Sequence, residues 1–276
     1  MRPPESPSAS EHPRATVRTT RLFELDGRTA LVTGGSRGLG LQIARALGDA
    51  GARVVLTARN RTELEAASAQ LREESIDADW IAGDSGQVEE IARICAEALT
   101  RLGQVDVLVN NAGASWGAPA EDYPLSAWDK VMNLNVRSAF LFSQYLAKHS
   151  MIPRRYGRIV NVASIKGLFG NAGSDDIVAY NTSKAALINL TRTLAGEWGE
   201  FGINVNAIAP GWFPSRMTRG MIETQGEQRM AARAPLRRLG DDEDLMGAAL
   251  LFASRAGKHI TGQVLAVDGG VSAVGD

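Results

Sequence analysis

Tyr180 and Lys184 are the pair of side chains in this sequence best placed to do chemistry. They are four residues apart in a helical pattern, so they share one face of the helix. A free tyrosine, with a pKa near ~10, keeps its proton at pH 7, and a nearby ammonium group lowers that pKa. We therefore expect Lys184 to bring the pKa of Tyr180 towards neutrality for general acid–base catalysis. The spacing alone leaves open a solvated surface pair.

A glycine-rich turn from Thr33 to Gly40 is the second chemical feature. It follows an apolar run at 30–32 and opens a helical run at 41–47. Bare N–H groups and the positive end of a helix dipole bind anions, and glycine lets the backbone approach a pyrophosphate. The turn therefore predicts a dinucleotide site, although three glycines also suit a simple tight turn.

Alternating strands and helices must position these residues. The strand candidates are residues 29–33, 53–58, 78–82, 105–109, 157–163, 203–208 and 263–267. The helix candidates are residues 38–50, 61–75, 87–102, 126–149, 179–201 and 241–254. Nearly all strand residues are apolar, as in strands covered on both faces. This predicts an α/β fold, a single Rossmann-type doubly wound parallel sheet of about seven strands with helices on both faces.

One domain is expected over residues 21–276, preceded by a proline-rich, disordered tail at 1–20. The irregular stretch from 212 to 240 predicts a substrate lid near 212–238. Its apolar residues and arginines suit an acyl chain and the phosphates of a CoA or an acidic carrier protein. An amphipathic helix with its apolar side in the core is the other interpretation.

Composition excludes several classes of function. The 276-residue chain has a formal net charge of −1, so it has no overall basic footprint for nucleic acid. No apolar run approaches the ~18 residues of a membrane span. The single cysteine, Cys95, is expected to be a packed thiol. His12, His149 and His259 form no metal-ligand spacing. We expect no metal, no nucleic acid and no membrane partner, and a cytoplasmic location.

Taken together, the motifs resemble those of the short-chain dehydrogenase/reductase family across about residues 22–273. The matching segments, in family order, are Thr33–Gly40 (TGxxxGxG), Asn110–Gly113 (NNAG), Asn135, Ser164, Tyr180–Lys184 (YxxxK) and Pro210–Gly211. The resemblance implies hydride transfer between a nicotinamide and a ketone or secondary alcohol. It implies a catalytic set of Asn135, Ser164, Tyr180 and Lys184.

Ser164 departs from the usual family spacing. It lies 16 positions before Tyr180, a few more than the family has, and the extra residues fall within 167–176. Ser174 is a competing hydroxyl. We choose Ser164 because it follows the strand at 157–163 and is held at the ligand edge of the sheet, although a capping or turn serine is the structural alternative.

The end of the second strand predicts the coenzyme. An acidic side chain there would accept a hydrogen bond from the ribose 2′-OH of NAD, whereas this chain has Ala58 and Arg59 in its place. Arg59, with Arg37 in the glycine turn, suits a 2′-phosphate and predicts NADP(H). Asp84 matches the adenine-contacting acid of the family, with a helix N-cap as its structural alternative. The expected coenzyme-binding residues are Gly34, Ser36, Arg37, Gly38, Leu39, Gly40, Arg59, Asp84, Asn111, Ala112, Gly113, Tyr180, Lys184, Pro210, Gly211 and Ser215.

The resemblance also bears on the substrate and on the assembly. Segments 110–124 and 209–219 look like those of the 3-oxoacyl reductases of rhamnolipid biosynthesis, which implies reduction of a 3-oxoacyl thioester. Segments 22–28 and 202–211 look like those of gluconate 5-dehydrogenase-like enzymes, which implies a keto sugar acid or polyol. A non-catalytic NADP-binding regulator is the third hypothesis. The family also implies a homotetramer or, failing that, a dimer.

Overall fold

One seven-stranded parallel sheet organises the chain. The computed structural model describes residues 18–170 and 176–274. The strand order is β3-β2-β1-β4-β5-β6-β7, and each neighbouring pair is parallel. The order reverses between β1 and β4, which is where open α/β sheets bind ligands. The predicted doubly wound fold is confirmed.

The elements alternate along the chain as predicted. The strands are β1 (Thr29–Thr33), β2 (Arg53–Ala58), β3 (Ala78–Ala82), β4 (Val107–Asn110), β5 (Gly157–Val162), β6 (Ile203–Pro210) and β7 (Val264–Val267). The helices are α1 (Gly38–Asp49), α2 (Arg61–Glu73), α3 (Val88–Leu102), α4 (Leu125–Met132), α5 (Ser138–Leu146), α6 (Ile152–Arg154), α7 (Val178–Trp198), α8 (Arg219–Gln225), α9 (Glu227–Ala231), α10 (Met246–Ala253) and α11 (Val271–Val274).

Two apolar cores lie on opposite faces of the sheet. Successive residues of a strand point to opposite faces, so Leu31 packs in one core and Val32 in the other. The Val32 core includes Ile43 of α1 and residues of α2 and α10. The Leu31 core includes Phe142 of α5 and residues of α3 and α7. Burial on both faces explains why the strands read as nearly continuous apolar runs.

The predicted helix over 126–149 is a longer element with two local changes of pitch. Between α4 and α5 lies a π-helical turn, Asn133–Arg137, and a second, Ala147–Met151, joins α5 to α6. Such turns are rare and concentrate at functional sites. The first of them carries Asn135, which is buried.

Two expectations near the C-terminus were wrong. The helix predicted over 241–254 begins at Met246, because the carboxylates of Asp241 and Asp244 accept backbone N–H groups and hold 241–244 in turns. The stretch from 212 to 240 is not irregular throughout, since it contains α8 and α9. These short helices satisfy backbone groups that a long loop would leave to water.

The remaining expectations concern the thiol and the N-terminus. Cys95 lies fully buried in the α3 core, and burial raises the pKa of its thiol well above the usual range, which confirms a packed cysteine. Most of the predicted tail at 1–20 lies outside the described residues, and Thr19–Leu22 forms a short 3₁₀ helix. Along 18–170 and 176–274, no helix combines the length and apolarity needed to cross a membrane.

Candidate active site

A cleft of about 1170 Å³ runs across the carboxyl ends of the strands. All of the residues predicted to bind coenzyme line this cleft, and so does Ser164. Asn135 lies behind the cleft, where its neighbour Leu134 forms part of the wall. The topology alone explains this convergence, because parallel strands end at the same edge of the sheet.

The glycine turn presents an open helix N-terminus to the cleft. Gly34 and Gly38 have φ angles of +63° and +53°, in the left-handed region that favours glycine. A Cβ on Gly40 would overlap with the main-chain oxygen of Gly34 and the side-chain amide of Asn111. Arg37, at the N-cap of α1, makes no side-chain cap hydrogen bond. The first N–H groups of α1 are therefore available to an anion.

Asn111 and Thr33 hold this turn in place. The Asn111 Nδ2 atom donates to the main-chain oxygens of Thr33 and Gly34, both at 3.0 Å. The Thr33 hydroxyl accepts the N–H groups of Asn111 and Ala112 at 3.0 Å. Asn111, predicted as a coenzyme contact, thus also braces the loop that would hold the pyrophosphate.

Ser164 and Tyr180 meet at the other end of the cleft. The Ser164 hydroxyl lies close enough to the Tyr180 oxygen to act on its pKa, in spite of the long interval between the two residues in sequence. Ser164 follows β5 and caps a 3₁₀ helix, Ile165–Gly167, by accepting the N–H of Lys166 at 3.1 Å. The capping role considered as an alternative is therefore real and coexists with the contact to Tyr180. Ser174, the competing hydroxyl, lies outside the described residues.

Lys184 lies behind the Tyr180 ring. Its Nζ atom donates to the main-chain oxygen of Val162 at 2.7 Å and lies 5.5 Å from the centroid of the ring. The side chain is buried, and this burial lowers the pKa of Lys184 from 10.5 to about 8. Lys184 therefore loses its proton at mildly alkaline pH, where an exposed lysine stays charged.

The predicted lowering of the Tyr180 pKa is wrong for this arrangement. Burial raises the pKa of Tyr180, and the Ser164 hydroxyl opposes that rise without cancelling it. The Lys184 ammonium donates to the main-chain oxygen of Val162 and makes no hydrogen bond to the phenol oxygen. Tyr180 therefore keeps its proton at neutral pH, the state that a general acid requires.

Asn135 holds three parts of the site together. Its Oδ1 atom accepts the N–H of Ala114 at 2.8 Å, and its Nδ2 atom donates to the main-chain oxygen of Ala114 and to the Ser183 hydroxyl, both at 2.9 Å. Ser183 in turn donates to the main-chain oxygen of Tyr180 at 2.7 Å. Asn135 therefore fixes the loop after β4 against the helix that carries Tyr180 and Lys184.

The opposite end of the cleft is rich in charge. Arg59, directly after β2, and Arg37, at the N-cap of α1, both line it. Arg37 forms an ion pair with Glu63, and Ser36 Oγ donates to the same carboxylate oxygen at 3.3 Å. Arg216 approaches the second oxygen of Glu63 at 3.4 Å.

Asp84 lines the same end of the cleft but does not cap a helix. Its Oδ1 atom accepts the N–H of Gly86 at 2.9 Å and closes a tight turn, whereas Gln87 is the N-cap of α3. The capping alternative is therefore wrong, because the helix starts too far along the chain.

The segment at 212–238 divides between core and cleft. Phe213 and Met230 are buried, at 4% and 1% exposure, while Phe213 also lines the cleft with Met217 and Ile222. Arg216 and Arg219 line it too. Leu236 instead borders a separate cavity of about 490 Å³. The apolar side chains of this segment therefore lie partly in the core and partly on the wall of the cleft.

Sequence reasoning missed Glu63, Asn60 and Ser183. Asn60 caps α2, since its Oδ1 atom accepts the N–H of Glu63 at 3.3 Å, and Asn-x-x-Glu is a recognised start of a helix. That signal predicts Glu63 in the first turn of α2, at the charged end of the cleft that Arg37 and Arg59 line. Among the described residues, His, Cys, Asp and Glu form no group of three that could hold a metal ion.

Comparison with known proteins agrees with this geometry. A family model of short-chain dehydrogenases, described as Enoyl-(Acyl carrier protein) reductase, matches residues 34–272. The chain belongs to the short-chain dehydrogenase/reductase family. The matched range includes the glycine turn from residue 34 onward, the tyrosine–lysine pair and the segment over the cleft.

Two curated relatives and one solved structure cover nearly the whole molecule. The rhamnolipids biosynthesis 3-oxoacyl-[acyl-carrier-protein] reductase of Pseudomonas aeruginosa is 43% identical over 90% of this chain and 97% of its own. Gluconate 5-dehydrogenase of Gluconobacter oxydans is 38% identical over 91% and 97%. A gluconate 5-dehydrogenase from Burkholderia cenocepacia, solved with NADP and tartrate, has a TM-score of 0.87 at 34% identity over 94% and 100%. This member of the family is therefore a dehydrogenase/reductase acting between CH–OH and C=O groups.

Proposed function

We propose that this dehydrogenase/reductase uses NADPH to reduce the ketone of a 3-oxoacyl thioester. The observation that carries the substrate class is the cleft wall, where the apolar side chains of Phe213, Met217 and Ile222 stand beside the cations Arg216 and Arg219. An acyl chain would cover the apolar wall, and the arginines suit the phosphates of its carrier. The 43% sequence identity with a 3-oxoacyl-[acyl-carrier-protein] reductase supports the same substrate.

The glycine turn and the charged end of the cleft suit NADP(H). The open N-terminus of α1 would take the pyrophosphate, and the close approach around Gly34 and Gly40 leaves no room for a Cβ. Arg37 and Arg59 would hold the 2′-phosphate. A related enzyme solved with NADP supports this choice. The bound coenzyme supplies the hydride for the carbonyl carbon.

The proton comes from Tyr180 in this proposal. Its oxygen would give a proton to the carbonyl oxygen, while the Ser164 hydroxyl would donate to that oxygen as negative charge develops. Lys184 would hold the ribose hydroxyls and return a proton to the tyrosine. A water relay at Asn135 would use its main-chain carbonyl, because its side chain is committed to Ala114 and Ser183.

A series of 3-oxoacyl thioesters of increasing length tests the substrate class at fixed NADPH. Each buried methylene contributes ~0.8 kcal/mol, so kcat/KM should rise about fourfold per added CH₂ until the pocket is full. A keto sugar-acid reductase, the alternative that the gluconate 5-dehydrogenase relatives support, would reduce 5-ketogluconate faster and show a flat series. If none of the ketones causes oxidation of NADPH, the result would favour the third hypothesis, a non-catalytic NADP-binding regulator.

A matched pair of variants locates the acyl site. Met217→Gln keeps the length of the side chain and removes apolar surface from the cleft wall, so it should flatten the length series. Met221→Gln changes the same segment outside that wall and should leave the slope unaltered. If kcat/KM rises equally with chain length in both variants, the acyl chain lies elsewhere.

Three finer points belong to the same proposal. Residues 212–238 act as a lid, since α8 and the loop before it border the cleft while Met230 anchors the segment in the core. The protein assembles as a homotetramer through exposed apolar groups on α4–α5 and at β7. The cytoplasmic location stays a prediction of the sequence.

A further inference from the structure

Three separate segments converge on the carboxylate of Glu63. Arg37 of the glycine turn pairs with Oε2, and Ser36 donates to the same atom at 3.3 Å. Arg216 of the lid segment approaches Oε1 at 3.4 Å, although it is 153 positions away in sequence. The Asn60 cap holds the main chain of Glu63 at the start of α2. The carboxylate is thus anchored where the cations of the cleft meet.

This carboxylate stands at the place where a 2′-phosphate needs cations. Arg37 is one of the two residues to which the proposed function gives that phosphate, and it is already paired with an anion of its own chain. A phosphate that binds Arg37 must share the guanidinium with Glu63 or displace it, and the two negative groups repel each other at short range. The same carboxylate balances Arg216, so it also lowers the positive potential of this end of the cleft.

We propose that Glu63 determines coenzyme affinity by competing with the 2′-phosphate of NADP(H) for Arg37. The inference rests on the proposed use of NADP(H). Glu63 then sets NADP(H) affinity below the value that the arginines alone would produce, while NAD(H), which lacks the phosphate, is insensitive to the competition. Glu63 is a specificity-determining residue that takes no part in the hydride or proton transfer.

The size of the effect follows from exposure. The side chains of Arg37, Glu63 and Arg216 are 49%, 26% and 65% exposed, so water screens both ion pairs. Exposed pairs have small coupling energies, and we therefore expect a change of about three- to tenfold in the dissociation constant.

Binding isotherms on the full-length protein test the competition, with NADP⁺, NAD⁺ and adenosine 2′-phosphate as ligands at fixed salt. Glu63→Gln keeps the shape and removes the charge, so it should tighten NADP⁺ and adenosine 2′-phosphate about three- to tenfold and leave NAD⁺ within about twofold. Glu65→Gln, two residues further along α2 on an exposed side chain, is the matched control and should change neither. Unchanged or weaker NADP⁺ binding in Glu63→Gln, or an equal gain for NAD⁺, overturns the inference.

A double-mutant cycle separates competition from a general charge effect. In an Arg37→Ala background the gain from Glu63→Gln should shrink, because the contested cation is gone. An equal gain in both backgrounds would contradict competition for Arg37. If the wild-type protein binds NAD⁺ more tightly than NADP⁺, the proposed coenzyme is wrong. If the wild type prefers NADP⁺ but Glu63→Gln changes no affinity, only the inference about Glu63 is wrong.

Discussion

At the scale of single residues, burial decides the protonation states of the candidate catalytic pair. Tyr180 keeps its proton because burial raises its pKa, and Lys184 is moved in the opposite direction, to a pKa of about 8, by the same physical cause. Removing charge from water disfavours the phenolate and the ammonium alike. A tyrosine that keeps its proton and a lysine that gives up a proton readily are suited to delivering protons during ketone reduction.

Tyr180→Phe should abolish most of this acid catalysis. The variant removes one oxygen and keeps the ring against Lys184, so the fold and NADPH binding should persist. Reduction should slow by ~10²-fold or more, the usual contribution of a placed general acid. Single-turnover kinetics with NADPH give the rate, and coenzyme titration is the control. A near-normal rate would remove Tyr180 from the mechanism.

Lys184 makes a pH-dependent contribution to stability. Its pKa is about 8 in the fold and near 10.5 when exposed, so the unfolded chain binds more protons between those values and stability rises with pH. Below pH 8 the buried ammonium is charged in both states and destabilises the fold. Lys184→Met removes this titration, so the stability of the wild type relative to the variant should rise by about 2–3 kcal/mol from pH 7 to pH 10.

Urea unfolding of both proteins across that pH range measures the difference. The comparison is insensitive to any constant packing change in the variant, because only the trend with pH matters. A difference that stays level from pH 7 to pH 10 would contradict a depressed lysine pKa.

At the scale of elements, the site depends on where helices begin and on local changes of pitch. The start of α1 is open to an anion, whereas Asn60 closes the start of α2. The π-helical turn within the long helix of 125–154 brings Asn135 against Ala114 and Ser183. Each of these local features places one wall of the cleft.

Gly40 tests how tightly the glycine turn is packed. Alanine is a better helix former, but a Cβ at Gly40 would overlap with main-chain and side-chain atoms of the turn. Gly40→Ala should lower the free energy of unfolding by about 1–3 kcal/mol and weaken coenzyme binding. Gly196→Ala, an exposed position in α7 with open space around it, is the control and should stabilise by about 0.5–1 kcal/mol. Equal behaviour of the two variants would show that the turn tolerates a side chain.

At the scale of the whole molecule, the long helix and β7 are two of the places where large apolar side chains remain exposed. Leu125 and Phe140 lie on the long helix at 72% and 36% exposure, and Leu265 lies on β7 at 38%. β7 is also an edge of the sheet, with backbone groups open to pairing. These surfaces support the proposed homotetramer, because two separate contact faces are needed to bring four subunits together with dihedral symmetry.

Light scattering coupled to gel filtration should therefore give four times 29.4 kDa. Leu265→Lys places a charge on the β7 face and should reduce the assembly to a dimer that retains the long-helix contact. The control is Glu89→Lys, which adds a lysine at an exposed position of α3. A position such as Leu99 is unsuitable, because it packs against the core and a lysine there would disturb it. A wild-type mass near 29.4 kDa would contradict the assembly.

The sequence by itself determined the sheet, the glycine turn and the group of residues that meet at the cleft. These depend on local periodicity, on the need for left-handed backbone at Gly34 and Gly38, and on the convergence of parallel strand ends. Strand bounds agree closely, while helix starts such as Met246 moved because side-chain capping by Asp241 and Asp244 competes with helix formation.

Only the tertiary structure decided how these residues behave once they are together. The direction of the Tyr180 pKa depends on desolvation and on which acceptor Lys184 chooses, and neither is a property of helical spacing. The pairing of Glu63 with both Arg37 and Arg216 joins positions 26 and 153 residues apart. Charge interactions and burial depend on distance in space, and folding alone sets that distance.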